Sequence, residues 1–205
     1  RLGLQPKGSG DPLGLRRASN GIISLLLKAE WNVSLTDVFA DPALVKFVTA
    51  RMKAQFHDEF GGDIISAVLS CTSSDPVGIY HRCQALKRLS NSASFPETRT
   101  TFKRLMGLSK DHKSTDYDPS RFVDDSERTL HTHFQEISEC ILPLEGRNEY
   151  SAVLEELIKL KPSIDHLFDS VMVMDSDLEV RKNRLSLLRS ISTRFLNIAD
   201  FTFIN

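Results

Sequence analysis

The side chains able to do chemistry in this sequence are scattered, and few stand at a spacing that chemistry needs. His131 and His133 are two residues apart. On a helix that places them about 200° apart, so they cannot share one metal ion without distortion. Neither HExxH nor HxxxH is present. Cys71, Cys83 and Cys140 form no CxxC pair and read as small apolar helix residues. Asp124-Asp125 and Glu155-Glu156 are acidic pairs better suited to a helix start or an exposed face than to acid–base catalysis. There is no Gly-x-Ser-x-Gly elbow and no nucleophile beside a recognisable base. Lys7-Gly8-Ser9-Gly10 could offer backbone N–H groups to a phosphate, but lacks the Gly-Lys-Ser/Thr ending of a Walker A loop; a flexible loop is the simpler reading. The residues describe a non-catalytic piece.

The remaining chemistry is positive charge, and its placement is uneven. The 205 residues carry a formal net charge of −1, which argues against a uniformly basic nucleic-acid binder. By segment the charge is +4 over 1–28, −3 over 29–86, +5 over 87–113, −11 over 114–179 and +4 over 180–205. Such segregation can build one face for a polyanion and another that repels it, or simply keep a surface soluble. On the last helix, Arg181, Lys182 and Arg184 project from the first turns and Arg189 lies further along. Arg181 and Arg184, three apart, share a face. They suit phosphates or unstacked bases; equally, Arg181, Asn183 and Arg184 could tie down the preceding turn through carbonyls and Asp175 or Asp177. Lys87, Arg88, Arg99, Lys103 and Arg104 suit phosphate tracking, or a solvated face. Arg16 and Arg17 fit structural salt bridges better than RNA contact.

The elements that must position these groups are helical. Asp11-Pro12, Asp41-Pro42 and Asp75-Pro76 each pair an N-cap with a proline at the first helical position. They predict helices over 12–29, from 42 to the Gly61-Gly62 pair, and from 76 onward. Between the last two, 63–69 reads as a short helix. The stripe Leu44, Phe47, Val48, Arg51, Met52, Gln55 and Phe56 marks one helix face. Further helices are expected over 97–108, over 126–142 with Pro143 and Gly146 as stops, over 148–160 with Asn148 as cap, from Pro162 to Met174, and from Asp175 or Ser176 to about 199. Met172 and Met174, with Phe168 and Phe195, are expected in the core, with a base-stacking platform as the alternative. Residues 109–120, nearly devoid of apolar side chains, read as a linker. The fold class is all-α, with antiparallel helices and short loops. No run reaches the ~18 apolar residues of a membrane helix. An opening Arg1 with no basic-then-apolar leader reads as a piece of a longer protein.

Two stretches are more specific. Residues 168–201 contain Phe168, Val171-Met172-Val173-Met174, Arg181, Asn183-Arg184-Leu185, Leu187-Leu188, Phe195 and Ala199-Asp200. This pattern resembles the C-terminal end of the β subunit of bacterial-type glycyl-tRNA synthetase. Gly8 to Ala18 is similar to that family's G-S-x-D-P-x-x-L-R-R-A. The resemblance implies an all-α bundle of the DALR-like anticodon-binding type over 61–205, preceded by a smaller helical segment over 1–60 from the family's core. It implies a tRNA-binding role: anticodon-side recognition of tRNA-Gly in ATP-dependent glycyl-tRNA formation, in the cytoplasm or an organelle. The tRNA-contacting candidates are Arg181, Lys182, Asn183, Arg184, Arg189, Lys103 and Arg104. No catalytic residue and no cofactor belongs to this stretch; ATP with Mg would sit in the α subunit or fused α region, the expected partner in a hetero-oligomer or fused dimer. The alternative, motivated by the 44–56 stripe and the acidic 114–179 segment, is a helical module that holds the synthetase subunits together with little RNA contact.

Overall fold

A computed structural model describes residues 10, 11, 13–72 and 74–204. Among them ten α-helices and three short 3-10 turns account for the regular structure, with no strand. The helices are α1 (Leu15–Ala29), α2 (Leu35–Val38), α3 (Pro42–Phe60), α4 (Gly62–Leu69), α5 (Pro76–Ser90), α6 (Phe95–Ser109), α7 (Asp125–Glu145), α8 (Tyr150–Leu157), α9 (Lys161–Ser170) and α10 (Leu178–Leu196).

Two of the three Asp-Pro signals start helices as expected. Asp41 accepts from the Ala43 N–H at 2.9 Å and Asp75 from the Val77 N–H at 3.1 Å, each with proline in the first turn. The third acts at a distance. α1 begins at Leu15 behind Gly14, whose φ is 67°, and Asp11 reaches forward to accept from the Arg16 and Arg17 N–H groups. The carboxylate still satisfies orphan donors of the first turn, but from outside the helix. Pro12 and the Lys7-Gly8-Ser9 stretch lie outside the described residues.

At Gly61, with φ 85°, α3 gives way to α4. The apolar core runs through this break, since Met52 and Phe56 before it and Ile64 and Ile65 after it belong to one buried cluster that extends to Ile204. Phe56, Phe60 and Tyr80 meet edge to face at 5.2–6.0 Å on one side of the core. On the other side Phe102, Phe195 and Phe201 meet at 4.2–5.9 Å. Such pairs add specific geometry to simple apolar burial. They also fix α6 antiparallel to α10: Phe102 lies against Phe195, and the Ser109 hydroxyl sits 2.7 Å from that of Ser192.

Three expected boundaries move. Pro143 does not stop α7, which continues to Glu145. α8 starts at Tyr150 instead of after an Asn148 cap; Asn148 sits at φ 57° and its side chain accepts from the Tyr150 hydroxyl. The largest change is at Val171. α9 ends at Ser170, and Val171 is extended. Val173 turns inward, but Met172 is 75% and Met174 50% exposed, so the methionines are not core. Phe168 and Phe195 are buried as expected.

Candidate nucleic-acid interface

The N-terminal end of α10 is held by side chains from three other segments. Asp177 caps it, accepting from the Glu179 and Val180 N–H groups. Arg184, only 4% exposed, reaches back into the protein. Its Nε donates to Glu127 Oε1 at 3.1 Å, and its Nη1 donates to the Met172 carbonyl at 3.0 Å and to Asp175 Oδ2 at 2.8 Å. Glu127, 1% exposed, also accepts from the Val123 and Asp124 N–H groups, while Asp124 caps α7 in return. This capping box spends one face of Glu127 on its own helix and the other on Arg184. Buried charges persist only when so fully bonded.

Asn183 does a similar job beside it. Its Oδ1 accepts from the Asp118 N–H at 2.7 Å and its Nδ2 donates to the Asp118 carbonyl at 3.1 Å. The polar 109–120 stretch is therefore a strap along α10. Ser109 meets Ser192, His112 Nε2 lies 2.8 Å from the Ser186 hydroxyl, and Asp118 ends on Asn183. The strap runs antiparallel to the helix. Its polar side chains carry hydrogen bonds that an apolar count cannot see.

The seven candidates consequently divide. Asn183 and Arg184 are buried and committed to the strap and the 171–177 turn, which is the tie-down alternative. Both position the helix, and neither is exposed. Arg181, Lys182 and Arg189 are at least partly exposed, and none has a carboxylate within 4 Å among the described residues. Lys182 and Arg189, seven apart, lie on one face of α10. Lys103 and Arg104 on α6 are likewise free of carboxylates among the described residues. Arg104 instead places its guanidinium 4.2 Å from the centre of the Phe168 ring.

The contrast with the acidic 114–179 stretch is sharp. Between 114 and 179, Arg121, Arg128, Arg147, Lys159 and Lys161 each have a carboxylate partner within 4 Å. Between 87 and 113, Arg88 alone is paired among the described residues, with Glu155, while Lys87, Arg99, Lys103, Arg104, Lys110 and Lys113 are not. Arg17 pairs with Asp11, as the structural reading of that basic pair expects.

The carboxyls around the α7–α10 corner are shifted downward. Hydrogen bonds from the Ser120 hydroxyl and N–H lower Asp118, and those from the Ser126 hydroxyl and N–H lower Asp124. For Asp175 the Asp177 N–H acts most, with Arg184 adding to it. Each is a bond to the ionised form.

No catalytic constellation emerges among the described residues. No group of three His, Cys, Asp or Glu could hold a metal among the described residues. His131 bonds the Tyr117 hydroxyl and His133 the Ser163 hydroxyl. Burial pushes the Cys83 thiol up to about 12 and also raises Cys71. Cys140, expected as an apolar helix residue, is exposed on α7. Among the described residues no helix is long and apolar enough to cross a membrane.

Sequence comparison matches residues 1–70 to the family model for the glycyl-tRNA synthetase beta subunit, and residues 100–200 to that for the DALR anticodon binding domain. The glycine–tRNA ligase beta subunit of a Sulfurihydrogenibium species is 35% identical over 98% of the chain. That of Persephonella marina is 30% identical over 99%, and that of Myxococcus xanthus 31% identical over 99%. The chain spans 30–33% of the length of these relatives.

Proposed function

This chain belongs to the glycyl-tRNA synthetase β-subunit family and ends in a DALR anticodon-binding domain, and from that premise we propose that it grips tRNA-Gly through α6 and α10. The observation that supports the reading is a group of cations within the DALR match that have no carboxylate partner: Lys103 and Arg104 on α6, Arg181, Lys182 and Arg189 on α10. The two helices lie side by side, so both sets belong to one part of the bundle. Free Lys and Arg side chains attract phosphates and set the register of an RNA without choosing its sequence. Asn183 and Arg184 act indirectly, by holding the strap and the turn between which α10 starts. In the parent synthetase, joining glycine to tRNA would take place at the α-region site, with ATP and Mg there and this chain supplying the anticodon side.

A second reading, docking onto the rest of the synthetase, rests on α1. Leu15, Ala18, Ile22 and Leu25 are exposed on one helical face at a three-to-four spacing, and Trp31 beyond the helix is 67% exposed. The stripe at 44–56 that first suggests such docking does not serve: Val48, Met52 and Phe56 are buried in the chain's own core. RNA and protein contacts would then occupy different helices. Filter binding of the chain to tRNA-Gly and to the same tRNA with a foreign anticodon tests the leading reading. The native anticodon is expected to bind at least tenfold more tightly. Equal affinity would contradict anticodon-side recognition, and co-elution with the α subunit without tRNA binding would favour docking.

A further inference from the structure

The turn after α9 exposes two large apolar side chains where they gain nothing from burial. After the extended Val171 the exposure alternates, with Val173 packed inward and both methionines outward. The turn is also firmly fixed. Arg184 donates to the Met172 carbonyl and to Asp175, and the Asp177 N–H donates to the other Asp175 oxygen. A buried guanidinium, costly to desolvate, is thus used to hold two thioethers in water.

Met172 and Met174 line an open groove of ≈ 420 Å³ with Phe168, Arg104, Leu108 and Asp169. Its floor is layered: the Phe168 ring lies under the Arg104 guanidinium, and the exposed Arg104 has no carboxylate partner among the described residues. The outer face of the guanidinium is therefore open. A planar aromatic group can stack on that face while the flexible thioethers pack its edge. The free charges of Arg104 and its neighbour Lys103 select a ligand that brings negative charge with it. Asp169 at the rim accepts hydrogen bonds only, which suits an exocyclic amino group.

We propose that this groove is a subsite for one unstacked nucleobase of a single-stranded RNA loop, sandwiched between Arg104 and the methionine pair, with amino-bearing bases favoured over uracil at Asp169. The proposal rests on the tRNA-binding reading and adds the place and chemistry of one base contact. Single-stranded RNA is recognised largely through such stacking, which tolerates different bases, while the acceptor at the rim adds preference.

The test uses the exposed residues Met172→Ala with Met174→Ala, whose side chains support no part of the core. Two probes are compared: a tRNA-Gly transcript, and the same RNA with abasic nucleotides in its anticodon loop. The double variant is expected to lose about tenfold or more in affinity for the intact loop and nothing for the abasic one, with unchanged helicity. An equal loss on both probes, or none on either, overturns the subsite while leaving phosphate gripping by α6 and α10 intact. Failure of the unaltered chain to bind either RNA overturns both readings. Asp169→Asn, which makes the rim able to donate as well, is expected to narrow the preference of the chain for oligo(C) over oligo(U); an unchanged preference would overturn the role given to Asp169.

Discussion

Residues 87–113 and 114–179 carry opposite charge, +5 against −11, but the more instructive difference is what their cations do. In the acidic stretch every Lys and Arg is within 4 Å of a carboxylate, and in the basic stretch only Arg88 is, among the described residues. α10 repeats the division within one helix. Arg184 and Arg194 pair with Glu127 and Glu145, while Arg181, Lys182 and Arg189 stay free. Paired cations belong to the fold. Unpaired ones are available to a partner; within the DALR match they include Lys103 and Arg104 on α6 and Arg181, Lys182 and Arg189 on α10, while Lys28 on α1, Lys46, Arg51 and Lys53 on α3 and Lys87 on α5 are also without a carboxylate among the described residues.

If that division holds, changing a paired cation moves stability and changing a free one moves RNA affinity. The largest effect is expected at Arg184. Arg184→Ala leaves the buried Glu127 carboxyl without its guanidinium partner, a loss of about 3–5 kcal/mol. Urea denaturation followed by circular dichroism reads it as a lowered midpoint at unchanged slope. A midpoint within experimental scatter of the unaltered chain would place Arg184 with the free cations.

Acid gives a smaller, graded effect on the same corner. Asp118, Asp124 and Asp175 are held below the ordinary aspartate range by hydrogen bonds to their ionised forms. Their contribution is complete above the unfolded value and is lost as pH falls through the folded values. The urea midpoint is therefore expected to stay level down to about pH 4 and to fall below it. A midpoint that rises in that window would show that these carboxyls are not held by the bonds that define the corner.

Much of the fold is legible in the sequence because it follows local rules. Asp41-Pro42 and Asp75-Pro76 state where α3 and α5 begin, and the Gly61-Gly62 pair states where α3 ends. Misreadings occur where distant residues decide. Val171 continues the α9 stripe in sequence, but Arg184 takes the Met172 carbonyl and Asp175 into a turn. Pro143 lacks one N–H, yet α7 carries on to Glu145, whose carboxylate meets Arg194. The strap at 109–120 looks like solvent-facing linker because its partners, Ser192, Ser186 and Asn183, lie about 65–83 residues away. Residue type and spacing single out the seven candidate site residues in the sequence. They cannot separate Arg184 from Arg181, because Glu127, which makes that distinction, lies 57 residues earlier. One signal was available: Asp124-x-x-Glu127 is a capping-box pattern, and it marks Glu127 as a residue with a structural task.

The claim that unpaired cations grip RNA is tested most directly by the salt dependence of tRNA-Gly binding. Affinity would be measured across a salt series for the unaltered chain, for Lys103→Ala/Lys182→Ala/Arg189→Ala, and for Arg121→Ala/Arg128→Ala/Lys159→Ala. Each lost phosphate contact to single-stranded RNA lowers the slope of log K against log salt by about 0.7. The first triple variant is expected to lose about 2 in slope if all three contacts exist. The second, drawn from surface ion pairs worth ~0–1 kcal/mol each, is expected to keep the slope. Equal slopes for both triple variants would contradict the division between the two regions and the interface built on it.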